Sequence, residues 1–200
     1  MVYVKREQYD ENRETLLATA SRLFRERGID GVGVAEIARD AGLTHGALYA
    51  HFRSKDALAS EAFSTGLAMS REAFRGEGAR RKRSVAGYLD YLLSPLNRDD
   101  PGASCPMTAS ASEISRHGKD ISARFAQGFQ EKAAAFEAVL DGSIPEAERR
   151  RLGLAIVAAE IGAMAAARAV AGSDPALSDE ILKAVHALLL NASKAPVERK

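Results

Sequence analysis

Residues 34–52 read Val-Ala-Glu-Ile-Ala-Arg-Asp-Ala-Gly-Leu-Thr-His-Gly-Ala-Leu-Tyr-Ala-His-Phe, and this stretch decides the fold of the chain. Its first half has apolar residues at helical spacing, and Gly42 follows them where a left-handed residue ends a helix at little cost. Thr44 then supplies a hydroxyl that can accept from backbone N–H groups at the start of a second helix. That second helix would bury Leu48 and Phe52 on one face. The stretch therefore predicts two short helices joined by a tight turn.

The second predicted helix carries small and polar residues on the face that its apolar residues leave free. A short helix with such a face fits the major groove of DNA, as the second helix of a helix-turn-helix does. The sequence therefore predicts a helix-turn-helix whose outward-facing residues are His45, Gly46, Ala47, Tyr49 and His51.

The run from Gly42 to Leu58 resembles the signature of TetR-family transcriptional repressors. That signature is a Ser or Thr helix cap, a Gly, an apolar residue, a Tyr, a His or Tyr, a Phe, and a Lys followed by a Leu. The chain departs from the family at Val32 and Gly33, where a Ser or Thr usually caps the second helix. An amphipathic pattern upstream extends the resemblance over residues 9–62. The matching residues are Thr44, Gly46, Leu48, Tyr49, His51, Phe52, Lys55 and Leu58.

Composition and length agree with the fold that this resemblance implies. Alanine is abundant and strand-like alternation is lacking, so the sequence predicts an all-α chain of about nine helices. The resemblance implies a three-helix helix-turn-helix DNA-binding domain over residues 1–53 and a larger helical domain for ligand binding and dimerisation over residues 54–200. Beyond the two helices of residues 34–52, the helical patterns cover residues 9–27, 55–74, 84–93, 105–117, 119–140, 146–171 and 177–191, with a predicted loop over residues 94–102.

Net charge does not by itself indicate nucleic acid as the partner. The formal net charge of the chain is +1, and the residues up to Leu58 include nine basic and nine acidic side chains. Neutralisation of phosphates supplies most of the non-specific affinity for DNA. Binding is therefore expected to depend on where the basic groups lie and on two copies of the domain acting together.

Eight residues are candidate DNA contacts. The resemblance implies that Tyr49 contacts backbone phosphate, and Thr44 can hold a phosphate at the helix N-terminus. His45 can donate to a purine and Ala47 can contact a thymine methyl, while Gly46 lets the backbone approach DNA closely. The three basic candidates for phosphate contacts are Lys55, Lys5 and Arg6, of which the last two suit a flexible arm or, equally, a solvated terminus.

The middle helices are expected to enclose a ligand pocket, because the resemblance implies a response to a small molecule. The aromatic and sulfur-containing residues in these helices are equally what a helical core needs. No metal and no other cofactor is expected. The candidate ligand-binding residues are Tyr91, Cys105, Met107, Phe125, Phe129 and Met164.

The last two long helices are expected to form a dimer interface. Small residues recur along residues 146–171 and an apolar stripe runs along residues 177–191. A dimer is needed to place two recognition helices about one DNA turn, roughly 34 Å, apart, and the resemblance implies a four-helix interface. The predicted partners are therefore a palindromic double-stranded operator, an inducer and a second copy of the chain, and the fourth helix is expected to transmit the response.

Cys105 offers an alternative to a non-covalent inducer. It precedes Pro106 at a predicted helix start, where the helix dipole can stabilise a thiolate. The protein would then be a repressor that senses oxidants or electrophiles. The other interpretation is a small buried side chain, the usual role of a free cysteine, and the chain has no second thiol to resolve a sulfenic acid.

Two further classes of protein were weighed. No His-Glu-x-x-His, Gly-x-Ser-x-Gly or phosphate-binding glycine loop indicates an enzyme, whereas a helical scaffold that does not bind DNA stays open. No export segment is recognised, and Glu160 and Arg168 interrupt the apolar run over residues 152–170 with charges that are costly inside a bilayer. We therefore expect a cytoplasmic protein without a membrane span, and a solvated linker for the basic run at residues 80–83.

Overall fold

The computed structural model describes the backbone of residues 2–78 and 84–194 and the side chains of residues 6–72 and 84–194. Every helix or strand element assigned in these ranges is an α-helix, with no strand among them, which confirms the all-α prediction. The basic run at residues 80–83 and the side chain of Lys5 lie outside the described residues. The helices are α1 (Val2–Arg27), α2 (Val34–Asp40), α3 (His45–His51), α4 (Lys55–Gly78), α5 (Val85–Leu92), α6 (Pro95–Asp99), α7 (Pro106–Ile114), α8 (Lys119–Glu137), α9 (Glu146–Ala171) and α10 (Pro175–Ala192).

The helices belong to two compact units. The first unit comprises Met1–Arg71 and Pro101–Phe125, and the second comprises Glu72–Asp100 and Ala126–Lys200. The helix α7 and the first residues of α8 are therefore in the same unit as α1, α2 and α3. A functional domain boundary after residue 53 stays a prediction.

The first unit is built around one face of α1. Leu16, Ala20 and Leu23 lie at helical spacing and are all buried, as expected for the core-facing stripe of an amphipathic helix. Gly28 then ends α1 in the left-handed region, with φ of +78°, a conformation that costs glycine little because it has no Cβ. The buried residues of the helices that complete this core include Ile37, Ala38, Leu48, Phe52, Leu58, Ala62, Met107 and Ile114.

The second unit is built on the long helices α8, α9 and α10. A Cβ at Gly153 of α9 would lie 2.8 Å from the carbonyl oxygen of Ala133 in α8, so the close approach of these two helices requires a glycine. Between α9 and α10, the hydroxyl of Ser178 donates to the carbonyl oxygen of Ala167 at 2.8 Å. The buried residues of α9 and α10 include Ile156, Val157, Met164 and Leu182.

The structure corrects the predicted loop over residues 94–102. This segment contains the short helix α6, whose N-cap Ser94 accepts from the backbone N–H of Asn97 at 3.1 Å. Pro95 occupies the first helical position, where its missing N–H costs nothing. The cap and the proline were therefore readable as a helix start, and the abundance of turn residues after them concealed it.

Five helix boundaries also differ from prediction by two residues or more, and one of them is the end of α7, at Ile114 rather than near residue 117. The helix α1 begins at Val2 rather than near residue 9, and α10 begins at Pro175. The helix α4 continues to Gly78, because a glycine inside a helix costs about 1 kcal/mol without necessarily ending it. The helix α8 ends at Glu137, three residues earlier than expected.

The helix α9 has the length and apolarity that a membrane span also has. It is 26 residues long, its most apolar window has a mean hydropathy of 1.7, and 39% of that window is buried. Core helices of soluble proteins have the same properties. Glu160, within this helix, is fully buried and bonded to Lys132 Nζ at 2.6 Å. Length and composition are therefore weak evidence for a membrane span.

Candidate nucleic-acid interface

The predicted turn between α2 and α3 forms as its residues indicate. Gly42 has φ of +71°, which is the left-handed conformation expected after a helix. Thr44 then caps α3, and its hydroxyl accepts from the backbone N–H of Ala47 at 3.2 Å. Leu48 and Phe52 are buried. The two predicted helices of the helix-turn-helix are therefore confirmed.

The residues of α3 that are candidate DNA contacts share one exposed surface. Tyr49 is 49% exposed, and its ring lies 5.0 Å from the ring of His45 in an edge-on arrangement. These side chains are four positions apart, which places them side by side on a helix. Of the other candidates in and beside α3, Thr44 and Gly46 are exposed, whereas Ala47 and Lys55 are half-buried.

Gly46 is not required by the packing of the protein itself. A Cβ added there would meet no atom within 4 Å, and its backbone does not adopt the left-handed conformation of Gly28 and Gly42. The absence of a side chain at this position therefore has no cause inside the first unit. A partner outside the protein that approaches the α3 backbone closely would explain why this position is a glycine.

The arrangement of charges explains how a domain with balanced charge can attract phosphate. Many of its basic side chains are paired with acidic side chains of the same unit. Arg6, Arg53 and Lys55 form no ion pair with any residue that the structure describes, and the first two are exposed. Arg53, which lies directly between α3 and α4, is not among the contacts predicted from the sequence. The ion pairs are Arg13–Glu61, Arg22–Glu26, Arg22–Asp40, Arg27–Glu36 and Arg39–Glu36.

Tyr9 of α1 contacts the end of α3. Its ring centroid lies 4.0 Å from that of His51, and its hydroxyl donates to the carbonyl oxygen of Ala50 at 3.2 Å. Burial lowers the pKa of His51 below its ordinary value, Arg13 lowers it further, and Asp10 acts in the opposite direction. The sequence analysis did not find Tyr9, since no local signal relates a residue of α1 to a helix 41 positions later.

Arg13 makes a second connection between the same helices. Its guanidinium lies 5.1 Å from the centre of the Phe52 ring, in the geometry of a cation–π contact. It also pairs with Glu61 of α4. Arg13 therefore joins α1, the end of α3 and the first part of α4.

A small cavity lies inside the first unit, lined by residues of α1, α4, α7 and α8. Its volume of about 10 Å³ has room for one water molecule. The hydroxyl of Ser21 lines it and has no hydrogen-bond partner among the described residues. None of the six candidate ligand-binding residues lines this cavity, so it is not the predicted ligand pocket.

The candidate ligand-binding residues are divided between the two units. Cys105, Met107 and Phe125 belong to the first, whereas Tyr91, Phe129 and Met164 belong to the second. Cys105, Met107 and Met164 are buried and the three aromatic residues are half-buried. Their binding of a ligand stays a prediction.

Cys105 is the N-cap residue of α7, as the sequence indicated, but its side chain makes no capping hydrogen bond. It is 5% exposed, as expected for a small side chain packed in a core. Reactive cysteines lie in partly exposed, electropositive surroundings. The burial of Cys105 therefore does not favour a role in sensing oxidants.

The fold is shared with several solved structures. A regulator from Cytophaga hutchinsonii aligns over 92% of this chain and 96% of its own, with a TM-score of 0.74 and 16% identity. A regulator from Chloroflexus aurantiacus aligns over 92% and 95%, with a TM-score of 0.75 and 24% identity. The reduced form of NemR from Escherichia coli aligns over 90% and 95%, with a TM-score of 0.71 and 22% identity. At these identities the likeness shows the fold.

The helix-turn-helix matches a known family of sequences over part of the chain. Residues 16–62 match the profile described as bacterial regulatory proteins, tetR family, and this match spans α2, α3 and parts of α1 and α4. The helix-turn-helix region of this chain is similar to that of the TetR family. Within it, Gly33 caps α2 without a side-chain hydrogen bond, which confirms the departure from the family pattern at that position.

Curated transcription regulators match over part of this chain. The regulator AcrR of Shigella flexneri is 41% identical over 56 residues, which are 28% of this chain and 26% of that protein. The repressor NemR of Escherichia coli K12 is 33% identical over 87 residues, or 41% and 44% of the two chains. The chain therefore spans about a quarter of the length of AcrR and less than half of the length of NemR. Both are named as transcription regulators, a class that does not consist of enzymes.

Proposed function

We propose that the chain is a cytoplasmic, dimeric repressor that occupies a palindromic operator and is released by a small-molecule inducer. The observation that carries this proposal is the exposed surface of α3, where a capped helix presents His45, Gly46 and Tyr49 outward. The match of the same helices to the TetR family supports a role in DNA binding.

On DNA, α3 enters the major groove and its ends meet the backbone. His45 and Ala47 read base edges, His45 as a donor to a purine and Ala47 against a thymine methyl. Tyr49 contacts phosphate, and Lys55 and Arg53 add the charge that phosphate attracts. The cap residue Thr44 lies at the helix N-terminus, where backbone N–H groups favour a phosphate. Arg6 extends this basic set from α1, and Lys5, its neighbour in the sequence, stays a predicted contact.

The second copy of the chain docks on the outward faces of α9 and α10. The outward face of α9 has only short side chains beside Gly162, where a Cβ would meet nothing within 4 Å. On α10, Leu188 is 67% exposed and Leu177 is 42% exposed. Burial of such a surface in a dimer stabilises it. The exposed small residues of α9 are Ala155, Ala158, Gly162, Ala165, Ala166 and Ala169.

Release by an inducer requires helices that link a ligand site to the DNA-binding helices. Met107 and Glu113 lie near opposite ends of α7, and Glu113 Oε2 accepts from the backbone N–H of Ile29 at 2.9 Å. A ligand bound beside Met107 shifts α7 and, through Glu113, the turn that follows α1. The helix α4, which begins directly after the helix-turn-helix, transmits the same shift. The inducer then lowers the affinity for the operator, and the operator lowers the affinity for the inducer by the same factor.

The residues proposed to contact a ligand are buried or half-buried in the middle helices, three in each of the two units. The aromatic rings and thioethers among them provide the apolar lining that small-molecule sites usually have. A ligand acts as an inducer only if it binds the two states of the protein with different affinity. The proposed ligand contacts are Tyr91, Cys105, Met107, Phe125, Phe129 and Met164.

The DNA-binding part of the proposal is tested by selection of bound sequences from random duplex DNA. The wild type, Tyr49→Ala and Met69→Ala are compared, since Met69 is exposed to a similar extent on α4, at 46%. We expect the wild type and Met69→Ala to enrich an inverted repeat that Tyr49→Ala does not retain. If the wild type enriches no motif at low salt, the chain is a scaffold that does not read DNA.

A further inference from the structure

The recognition helix α3 is too short to hold its own conformation. Isolated helices shorter than about 12 residues are marginal in water, and α3 has seven residues. The last carbonyl groups of any helix also lack partners within it. The carbonyl of Leu48 accepts from the backbone N–H of Phe52 at 2.9 Å. The carbonyl of Ala50, further along, depends on a group from outside α3.

Tyr9 of α1 supplies that group. Its hydroxyl donates to the carbonyl oxygen of Ala50 at 3.2 Å, so a side chain of one helix caps the C-terminal end of another. Its ring also lies against that of His51, with 4.0 Å between the centroids and a tilt of 39° between the planes. One residue therefore fixes both the backbone and a side chain at the end of α3.

The contact with Tyr9 is the main restraint on the orientation of His51. The Nδ1 atom of His51 is buried and has no hydrogen-bond partner in the described part of the chain. The neighbouring ring of Phe52 is more distant, with 6.2 Å between the centroids. If the Tyr9 ring is removed, the imidazole loses its nearest aromatic neighbour.

The same face of α1 contacts α3 again one turn later. Arg13 follows Tyr9 by four positions and stacks over the Phe52 ring at 5.1 Å. Its ion pair with Glu61 holds it in that place. Tyr9 and Arg13 thus form a two-turn contact with the end of α3, in which Tyr9 is the outer and more exposed member.

We propose that Tyr9 is a positioning residue for DNA recognition, which fixes the end of α3 so that His45 and Tyr49 meet the groove in one orientation. This inference rests on the function proposed above, in which α3 reads DNA. Base contacts require a fixed orientation of the helix, whereas attraction to phosphate does not. Loss of Tyr9 therefore weakens binding to the operator more than binding to unrelated DNA.

The test measures two dissociation constants for each variant at one salt concentration, for the selected operator and for an unrelated duplex. Tyr9→Ala removes both contacts, Tyr9→Leu keeps only apolar bulk, and Tyr9→Phe keeps the ring without the hydroxyl. Gln8→Ala is the matched control, because Gln8 is exposed on α1 and, among the described residues, its side chain bonds only to Glu11 and Asn12 of the same helix. Thermal unfolding by circular dichroism reports whether each variant is folded.

We expect Tyr9→Ala and Tyr9→Leu to lower the ratio of specific to non-specific affinity by about tenfold, as the loss of one ring contact and one hydrogen bond implies. Tyr9→Phe should restore most of the ratio, and Gln8→Ala should leave it unchanged. A wild type that binds the operator, together with folded Tyr9→Ala and Tyr9→Leu variants of unchanged ratio, overturns this inference alone. A wild type without any preferred sequence overturns the proposed function as well.

Discussion

Glu113 and Ile29 join α7 to the turn after α1 through a hydrogen bond of 2.9 Å between Glu113 Oε2 and the backbone nitrogen of Ile29. The same carboxylate occupies the space where a side chain at Gly28 would lie. A few residues later, His117 lies within 4 Å of the carboxylates of Asp30 and Asp56. The segment that starts with α7 is therefore held at defined points to the turn after α1 and to the first turn of α4.

Removal of the Glu113 carboxylate should destabilise the protein. In Glu113→Ala, the partly buried N–H of Ile29 has no acceptor, and we expect the free energy of unfolding to fall by roughly 1–3 kcal/mol. Glu113→Gln retains an acceptor oxygen and should lose less. Urea denaturation followed by circular dichroism measures both changes. Equal stability of Glu113→Ala and the wild type would show that this hydrogen bond contributes nothing.

Two glycines of the first unit should respond to alanine in opposite ways. Gly28→Ala places a Cβ against Glu113 in a left-handed backbone, and the conformational penalty alone is about 1–2 kcal/mol. Gly46→Ala should keep or raise stability by up to about 1 kcal/mol, since alanine favours helix. It should nevertheless weaken operator binding, by about tenfold or ~1.4 kcal/mol. Thermal unfolding and operator titration of the two variants distinguish a structural glycine from an interface glycine.

Removal of one member of the buried pair Lys132 and Glu160 should destabilise the protein strongly, whereas replacement of both by apolar residues should destabilise it little. Glu160 is fully buried, and its Oε1 atom has no hydrogen-bond partner in the part of the chain that is described. Lys132→Met leaves this carboxylate without its cation, and we expect a loss of about 3–5 kcal/mol in the free energy of unfolding. The double variant Lys132→Met, Glu160→Met should recover most of that loss. A single variant as stable as the wild type would contradict the prediction.

Protonation of His51 should destabilise the folded chain. Burial and Arg13 lower its pKa in the folded state below the ordinary value of about 6.5. Between these two values the unfolded chain binds a proton that the folded chain does not, so stability falls as pH decreases below about 6.5. Unfolding temperatures of the wild type and His51→Asn between about pH 5 and pH 7.5 test this. The difference between them should shrink toward acid pH, whereas the exposed control His45→Asn should follow the wild type.

An acidic residue on the exposed face of α10 should prevent dimer formation. Leu188→Asp introduces a charge at the proposed interface, where it would be buried without a partner. Leu96→Asp is the matched control, since Leu96 is 78% exposed and belongs to α6, not to the two helices of the proposed interface. Analytical ultracentrifugation should give monomers for Leu188→Asp and dimers for Leu96→Asp. Dimers of both variants would place the interface elsewhere.

The helix-turn-helix could be predicted from the sequence because its determinants are local. The hydroxyl of Thr44 and the left-handed Gly42 act within three or four residues of their own positions. The apolar spacing that buries Leu48 and Phe52 is also visible in a single short stretch. Such features depend little on the rest of the fold.

The supports of α3 could not be predicted, because they connect distant parts of the chain. Tyr9 contacts Ala50 across 41 positions, and Glu113 contacts Ile29 across 84. The ion pairs of the first unit also could not be predicted from the sequence. A count of basic residues does not show that Arg6, Arg53 and Lys55 are without an acidic partner among the described residues.

If the chain binds an operator as proposed, the internal pairing of charge in α1, α2 and α3 has a consequence for how that operator is found. Because several arginines of these helices already neutralise neighbouring carboxylates, each head releases few counterions from unrelated DNA. Such a head holds non-operator sequence weakly and dissociates from it quickly. Search of the chromosome by sliding is then brief, and occupancy of the promoter is governed by the fit of α3 to its site.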